Sequence, residues 1–121
     1  AEMPRKLAEF YAFAMNAEVF GGLTADHLWV CHRDGIRIQI YKPSSGRQFP
    51  QRGNSFALCL EGEPSLDPLH NLVNWSCELI SKGASVLEDQ RMEPFGAESW
   101  LADPEGNSFL LFVPLKIEQD L

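Results

Sequence analysis

A turn sequence near the C-terminus constrains the fold more than any other feature. Residues 103–107 read Asp-Pro-Glu-Gly-Asn. Pro104 presets φ for a turn, Gly106 accepts positive φ, and Asp103 and Asn107 can hydrogen-bond the local backbone. Apolar residues flank this turn in residues 98–102 and 108–113. We therefore predict a β-hairpin whose two strands are these flanking segments.

The remaining patterns predict two helices and five more strands. A first helix over residues 4–15 carries one apolar stripe, at Leu7, Phe10, Tyr11 and Ala14. A second helix follows Asp67, a suitable N-cap, and runs over residues 68–82 to a stop at Gly83. The other strands are expected at residues 17–20, 27–32, 36–41, 55–60 and 85–89.

The order of these elements indicates an imperfect repeat within one domain, residues 1–121. Before a linker at residues 45–53 the order is helix and three strands, and after it the order is strand, helix and three strands. A chain of 121 residues, 45% hydrophobic, is long enough for one globular core. We place a first module at about residues 1–44 and a second at about residues 54–115.

Charge and cysteine content restrict the partners and the compartment. Residues 61–121 carry three Lys/Arg against twelve Asp/Glu, which argues against nucleic acid or an anionic membrane as a partner. Three cysteines without a paired metal motif predict reduced core residues of a cytoplasmic protein. We find neither a membrane-spanning run nor a signal peptide in the sequence.

The hairpin at residues 103–107 and the order of elements resemble the vicinal oxygen chelate superfamily. Its members include glyoxalases, extradiol dioxygenases and bleomycin resistance proteins. The resemblance covers essentially the whole chain and implies an α+β fold, in which two βαβββ modules form a curved mixed sheet that wraps a cup. The first strand is missing from this chain and is expected upstream of Ala1, because Met3 to Arg5 already lies where the family enters its first helix.

The resemblance also assigns positions to the metal ligands of the metal-using members. One position lies upstream of Ala1, and the others fall at Gln39, Ser55 and Leu110. Leucine has no donor atom, serine is a poor ligand at neutral pH, and glutamine offers one weak carbonyl oxygen. We therefore predict neither a bound metal nor a cofactor.

The predicted ligand-binding residues follow from strand alternation around these positions. A two-residue loop at Asp34-Gly35 would pair His32 with Arg37, Val30 with Gln39, and Leu28 with Tyr41, and would turn Trp29 and Cys31 toward the helices. Arg37 is the expected anchor for an anionic group. The predicted set is His32, Arg37, Gln39, Tyr41, Ser55, Trp100, Leu110 and Phe112.

Three functions remain open on the sequence. The first is a metal-free binding protein of the bleomycin resistance type, a homodimer that sequesters a small molecule such as an antibiotic or metabolite. The second is a metal-dependent lyase, isomerase or dioxygenase. The third is a regulatory or structural domain whose cup is filled by its own side chains. The acidic residues Glu88, Asp89, Glu93 and Glu98 are interpreted as a solvated edge.

Overall fold

The computed structural model describes residues 1–43, 45 and 57–117. The chain forms two compact units, Ala1–Asn54 and Ser55–Leu121. Within these described residues each unit contains one helix and one β-sheet, so the predicted α+β class is confirmed.

The first unit packs one helix on an antiparallel sheet. Helix α1 (Pro4–Met15) is followed by β1 (Glu18–Gly21), β2 (His27–Cys31) and β3 (Arg37–Tyr41), in the sheet order β1-β2-β3. The predicted stripe of α1 is buried, at Leu7, Phe10, Tyr11 and Ala14. Asn16 ends the helix in the left-handed conformation, with φ of 50°. The first helix and the three strands after it therefore lie within one residue of where the sequence predicts them.

The second unit contains a mixed sheet covered by a longer helix. Its elements are β4 (Leu58–Glu61), α2 (Pro68–Ser81), β5 (Ser85–Val86), β6 (Arg91–Glu93), β7 (Gly96–Ala102) and β8 (Ser108–Pro114). The order is β4-β8-β7-β5, with β4 parallel to β8 and β6 paired to β7. The sequence did not indicate β6, because three residues with charges at both ends show no apolar alternation. The core is apolar, with Leu72, Leu79, Leu101, Phe109 and Leu111 fully buried.

One hydrogen bond recurs in both units and supports the imperfect repeat. The backbone nitrogen of Ala1 donates to the carbonyl of Tyr41 at 2.8 Å, and that of Ser65 donates to the carbonyl of Pro114 at 2.9 Å. Both donors stand three residues before the proline that begins their helix, Pro4 or Pro68. In the second unit, β4 pairs with the edge of β8 that also accepts the Ser65 hydrogen bond. Among the described residues no strand pairs with the edge of β3 that faces away from β2.

The predicted register between β2 and β3 is wrong by one residue. Cys31 pairs with Arg37 and Trp29 with Gln39, and the His32 N–H donates to the Ile36 carbonyl at 2.9 Å. The loop therefore has three residues, and its last one, Gly35, has φ of 94°. This is the geometry of a turn closed by a left-handed glycine, which competes with the two-residue loop that an Asp-Gly pair suggests. Trp29 and Cys31 consequently share a face with Arg37, Gln39 and Tyr41, whereas Leu28 and Val30 are buried.

Ser76 leaves an unsatisfied hydroxyl in the core of the second unit. Its side chain is 1% exposed, and its Oγ has no hydrogen-bond partner among the described residues. We expect Ser76→Ala to raise the free energy of unfolding by about 1 kcal/mol, because it removes a buried unpaired polar group and improves helix propensity. Urea denaturation followed by circular dichroism measures this change.

Ser81→Ala, in the same helix, is the matched control for this substitution. The Ser81 hydroxyl donates to the Glu78 carbonyl at 2.5 Å and is exposed. The control should leave stability unchanged or slightly reduced. A loss of stability in Ser76→Ala would mean that its hydroxyl has a partner in solution, such as a buried water.

Candidate functional site

The 103–107 turn fixes the two strands that carry the candidate site. The Asp103 side chain is 3% exposed, and its Oδ1 accepts hydrogen bonds from the Glu105 N–H at 2.9 Å and the Asn107 N–H at 3.0 Å. The Asn107 side-chain amide donates to Asp103 Oδ2 at 2.9 Å. Gly106 takes φ of 85°. The turn chemistry predicted for this segment is thus present, and it sets the register of β7 against β8.

Two rows of side chains cross the sheet on the side opposite its buried residues. Phe109, Leu111 and Val113 of β8 are buried, so the alternate residues project to the other face. One row joins Cys59, Leu110 and Trp100 on adjacent strands, and the next joins Glu61, Phe112, Glu98 and Arg91. The ring of Phe95 packs edge-on against Phe112 at 5.8 Å. We call the set Cys59, Glu61, Arg91, Glu98, Trp100, Leu110 and Phe112 the second-unit face.

Arg91 is the centre of an ion-pair cluster at one side of this face. Its Nη2 donates to Glu98 Oε1 at 2.5 Å, its Nη1 to Glu88 Oε2 at 3.1 Å, and its Nε to Glu93 Oε1 at 3.2 Å. The hydrogen bond to Glu98 raises the pKa of Arg91 above its ordinary value. Every nitrogen of the guanidinium therefore has a carboxylate partner, and Arg91 orients Glu98 rather than offering a free anion site.

Two predictions about charged and sulfur-containing residues need correction or refinement. The acidic run is not a set of independently solvated carboxylates, since Arg91 joins Glu88, Glu93 and Glu98. The cysteines are free, but Cys59 and Cys77 are exposed and Cys31 is half-buried, so they are not core residues. Partial burial, together with the carboxylates of Glu61 and Glu98, raises the pKa of the Cys59 thiol. This thiol stays protonated at neutral pH and is a weak nucleophile and ligand.

The donor chemistry around Leu110 does not fit a divalent metal. Leu110 has no donor atom, and its two neighbours across the strands are Trp100 and Cys59. No group of three or more His, Cys, Asp or Glu side chains within residues 1–43 and 57–117 is arranged to hold a metal ion. Ser55, the predicted neighbour from the adjacent strand, lies outside the described residues.

The first unit presents a separate polar and aromatic face on its sheet. The Arg37 guanidinium carbon lies 5.4 Å from the centroid of the Trp29 ring, a cation–π contact, and Arg37 itself is exposed. Gln39 pairs with Trp29, and Tyr41 pairs with His27 at the other end of the strand. We call Trp29, Arg37, Gln39 and Tyr41 the first-unit face.

His32 does not belong to the first-unit face. Its Nδ1 accepts a hydrogen bond from the Asp34 N–H at 3.1 Å and lies 3.5 Å from the Asp34 carboxylate. The histidine therefore closes the loop between β2 and β3. The expectation that it lines a ligand site depended on the wrong register between these strands.

The structure thus groups most of the predicted site residues by unit. Arg37, Gln39 and Tyr41 lie together in the first unit, and Trp100, Leu110 and Phe112 lie together in the second. Sequence reasoning missed Trp29, Glu98 and Arg91 as site residues. Glu98 could have been identified from the sequence, because it lies two residues before Trp100 on one strand and therefore projects to the same face.

Comparisons by sequence and by structure give different results. No protein-family model matches the chain, and no curated protein matches it. Solved structures do match. A glyoxalase/bleomycin resistance protein/dioxygenase family enzyme from Burkholderia phytofirmans PsJN is 14% identical and has a TM-score of 0.76, covering 95% of this chain and 93% of that chain. A glyoxalase-related enzyme from Fulvimarina pelagi is 16% identical, with a TM-score of 0.67 and coverage of 90% and 78%.

A lactoylglutathione lyase from Agrobacterium tumefaciens is similar at 16% identity, with a TM-score of 0.55 and coverage of 93% of this chain and 87% of that chain. At such identities the likeness shows the fold alone. The chain therefore has the fold of glyoxalase/bleomycin resistance/dioxygenase proteins, as its hairpin and element order predict. Among the described residues no helix is both long and apolar enough to cross a membrane.

Proposed function

We propose that this protein binds a small molecule without a metal and without chemical conversion. The observation that carries this proposal is Leu110, an apolar residue at the position that the resemblance assigns to the last metal ligand. Its neighbours on the second-unit face are Trp100 and Cys59, and the Cys59 thiol stays protonated. These groups favour contact with an apolar ligand surface over coordination of an ion.

The second-unit face favours a planar ligand that carries hydrogen-bond donors or a positive charge. Trp100 and Phe112 supply aromatic rings for stacking, and both are partly exposed. The carboxylates beside them, Glu61 and Glu98, are acceptors only. Arg91 is occupied by three carboxylates, which makes an anionic group unfavourable here. An anionic group would instead find its partner at Arg37 on the first-unit face.

Metal content tests the proposal directly. The protein is purified without chelator or affinity metal, analysed for transition metals, and titrated with iron, manganese, nickel and zinc salts. The proposal expects no stoichiometric metal and no uptake. Near-stoichiometric metal, or turnover that depends on added metal, would overturn it in favour of a lyase, isomerase or dioxygenase.

Trp100→Ala tests the ligand-binding surface. A panel of planar aromatic compounds, each as an amine and as a carboxylate, is screened by thermal shift, and the hits are titrated calorimetrically. We expect amines to bind more tightly than the matched carboxylates. Trp100→Ala should weaken the amine hits at least about fivefold, since stacking on an aromatic ring contributes about 1 kcal/mol beyond its buried area.

Phe20→Ala is the matched control for loss of an aromatic ring. Phe20 is 51% exposed and lies on β1 in the other unit. Its substitution should leave the affinity for the amine hits unchanged. Equal affinity of Trp100→Ala and the unsubstituted protein would remove the second-unit face as the binding surface, and a panel without any hit would favour a structural or regulatory domain.

A further inference from the structure

Glu98 is the less exposed of the two carboxylates on the second-unit face. Its side chain is 14% exposed, whereas Glu61 is exposed. Its Oε1 accepts a hydrogen bond from Nη2 of Arg91. Its Oε2 accepts no hydrogen bond from any residue in the part of the chain that the structure describes. One oxygen of Glu98 is therefore held by Arg91, and the other is left as an acceptor.

The carboxylate of Glu98 lies beside an aromatic ring. Glu98 pairs with Phe112 across antiparallel strands, where Cβ atoms of paired residues are about 4.5–5.5 Å apart. Glu61 pairs with Phe112 on the other side. Partial burial and then the charges of Glu61 and Glu98 raise the pKa of the Cys59 thiol, so both carboxylates act on the middle of the face. Phe112 thus lies between two negative charges, a setting that attracts a cation to its ring.

We propose that Arg91 is a positioning residue, which holds Glu98 so that its Oε2 accepts a hydrogen bond from a cationic N–H group of the ligand. This inference rests on the proposed function, because it concerns the ligand of the second-unit face. It narrows the ligand class to a planar ring that carries a protonated amine or amidine. A quaternary ammonium has the same charge but no N–H to donate, and it gains nothing from an oriented acceptor.

The contacts of Arg91 suit it to this positioning role. Its Nε donates to Glu93 Oε1 at 3.2 Å and its Nη1 to Glu88 Oε2 at 3.1 Å, so the guanidinium is fixed on two sides before it reaches Glu98. The planar guanidinium holds its donors in a rigid arrangement. An acceptor that is ordered before the ligand arrives loses less conformational entropy on binding. Lysine would keep the positive charge, but its single flexible ammonium could not fix three carboxylates.

A matched pair of cations tests the role of Arg91. Naphthylmethylamine and its trimethylammonium analogue are titrated calorimetrically into the protein. The amine should bind about tenfold more tightly, the effect of one charge-assisted hydrogen bond. Arg91→Gln should reduce this preference to within about twofold, and Arg91→Lys should give an intermediate value. The ratio between the two cations isolates the hydrogen bond, because a change in charge or in the folded fraction affects both compounds alike.

Lys116→Gln is the matched control, because it removes an exposed positive charge from the same unit. It should keep the full preference for the amine. Glu98→Gln keeps the shape of the side chain but removes the charge of the acceptor, so it should abolish the preference. This variant tests the proposal even if Arg91→Gln does not fold.

The outcomes separate this proposal from the proposed function. If amine binding depends on Trp100 but the preference for the amine persists in Arg91→Gln or in Glu98→Gln, the positioning role is overturned and the proposed function stands. If naphthylmethylamine does not bind at millimolar concentration, the positioning role is overturned as well. Binding of other planar compounds that Trp100→Ala weakens would then still support the proposed function.

Discussion

Gly96→Ala should lower the free energy of unfolding by about 3 kcal/mol, the largest effect that we expect from a single added methyl group. Gly96 begins β7 opposite Pro114, with φ of 151°. A Cβ there would overlap the carbonyl oxygen of Val113 and would lie 2.9 Å from the Phe112 ring and 3.0 Å from the Pro114 Cα. Two of these atoms belong to backbone, which cannot move aside without disturbing the β7–β8 pairing.

Gly21→Ala provides the control, because it adds the same methyl group in open space. A Cβ at Gly21 has no atom within 4 Å, and its φ lies outside the positive range. Urea denaturation should find this variant within about 0.5 kcal/mol of the unsubstituted protein. Equal stability of the two variants would mean that β7 and β8 do not approach each other as closely as the structure places them.

The elements predicted most accurately are those whose signal is local. The apolar stripe of α1, the Asp67 cap of α2 and the turn at residues 103–107 each depend on residues within one or two turns of chain. Their bounds differ from the structure by at most two residues at each end, as in β7, which begins at Gly96 rather than at Glu98. The fold class follows from their order.

The register of β2 on β3 could not be obtained in the same way. Asp34-Gly35 fits a two-residue loop, but Gly35 serves equally as the left-handed last residue of a three-residue loop. One residue of difference reverses which face Trp29 and Val30 occupy. Burial decides between the two loops, because Leu28 and Val30 lie under α1 while Trp29 stays partly exposed. This information comes from packing and not from the turn.

On the second-unit face, the sequence predicted only the residues that lie on the hairpin around residues 103–107. Trp100, Leu110 and Phe112 follow from alternation along two strands whose turn is unambiguous. Arg91 and Glu98 are seven residues apart in sequence, and their contact depends on β6, whose short charged sequence carries no strand signal. The position of Cys59 on the second-unit face likewise depends on the parallel pairing of β4 with β8, which joins distant parts of the chain.

Asp103→Ala should be the second most destabilising change, lowering the free energy of unfolding by about 2–3 kcal/mol. Its carboxylate accepts the backbone N–H groups of Glu105 and Asn107 and the side-chain amide of Asn107, and it is almost fully buried. Removal of the carboxylate leaves these donors without their acceptor and loosens the loop that holds β7 against β8. Urea denaturation measured by tryptophan fluorescence gives the loss.

Asp103→Asn separates the hydrogen-bond contribution from the volume of the side chain. The asparagine oxygen can still accept the two backbone N–H groups, whereas its amide cannot accept the Asn107 amide. We expect a loss of about half that of Asp103→Ala, since one acceptor oxygen remains. Asp89→Ala removes an exposed carboxylate from the same unit and should change stability by less than about 0.5 kcal/mol. If Asp103→Ala also changes the free energy of unfolding by less than about 0.5 kcal/mol, the turn does not set the register of β7 on β8. The side-chain rows of the second-unit face would then be aligned by other contacts between these strands.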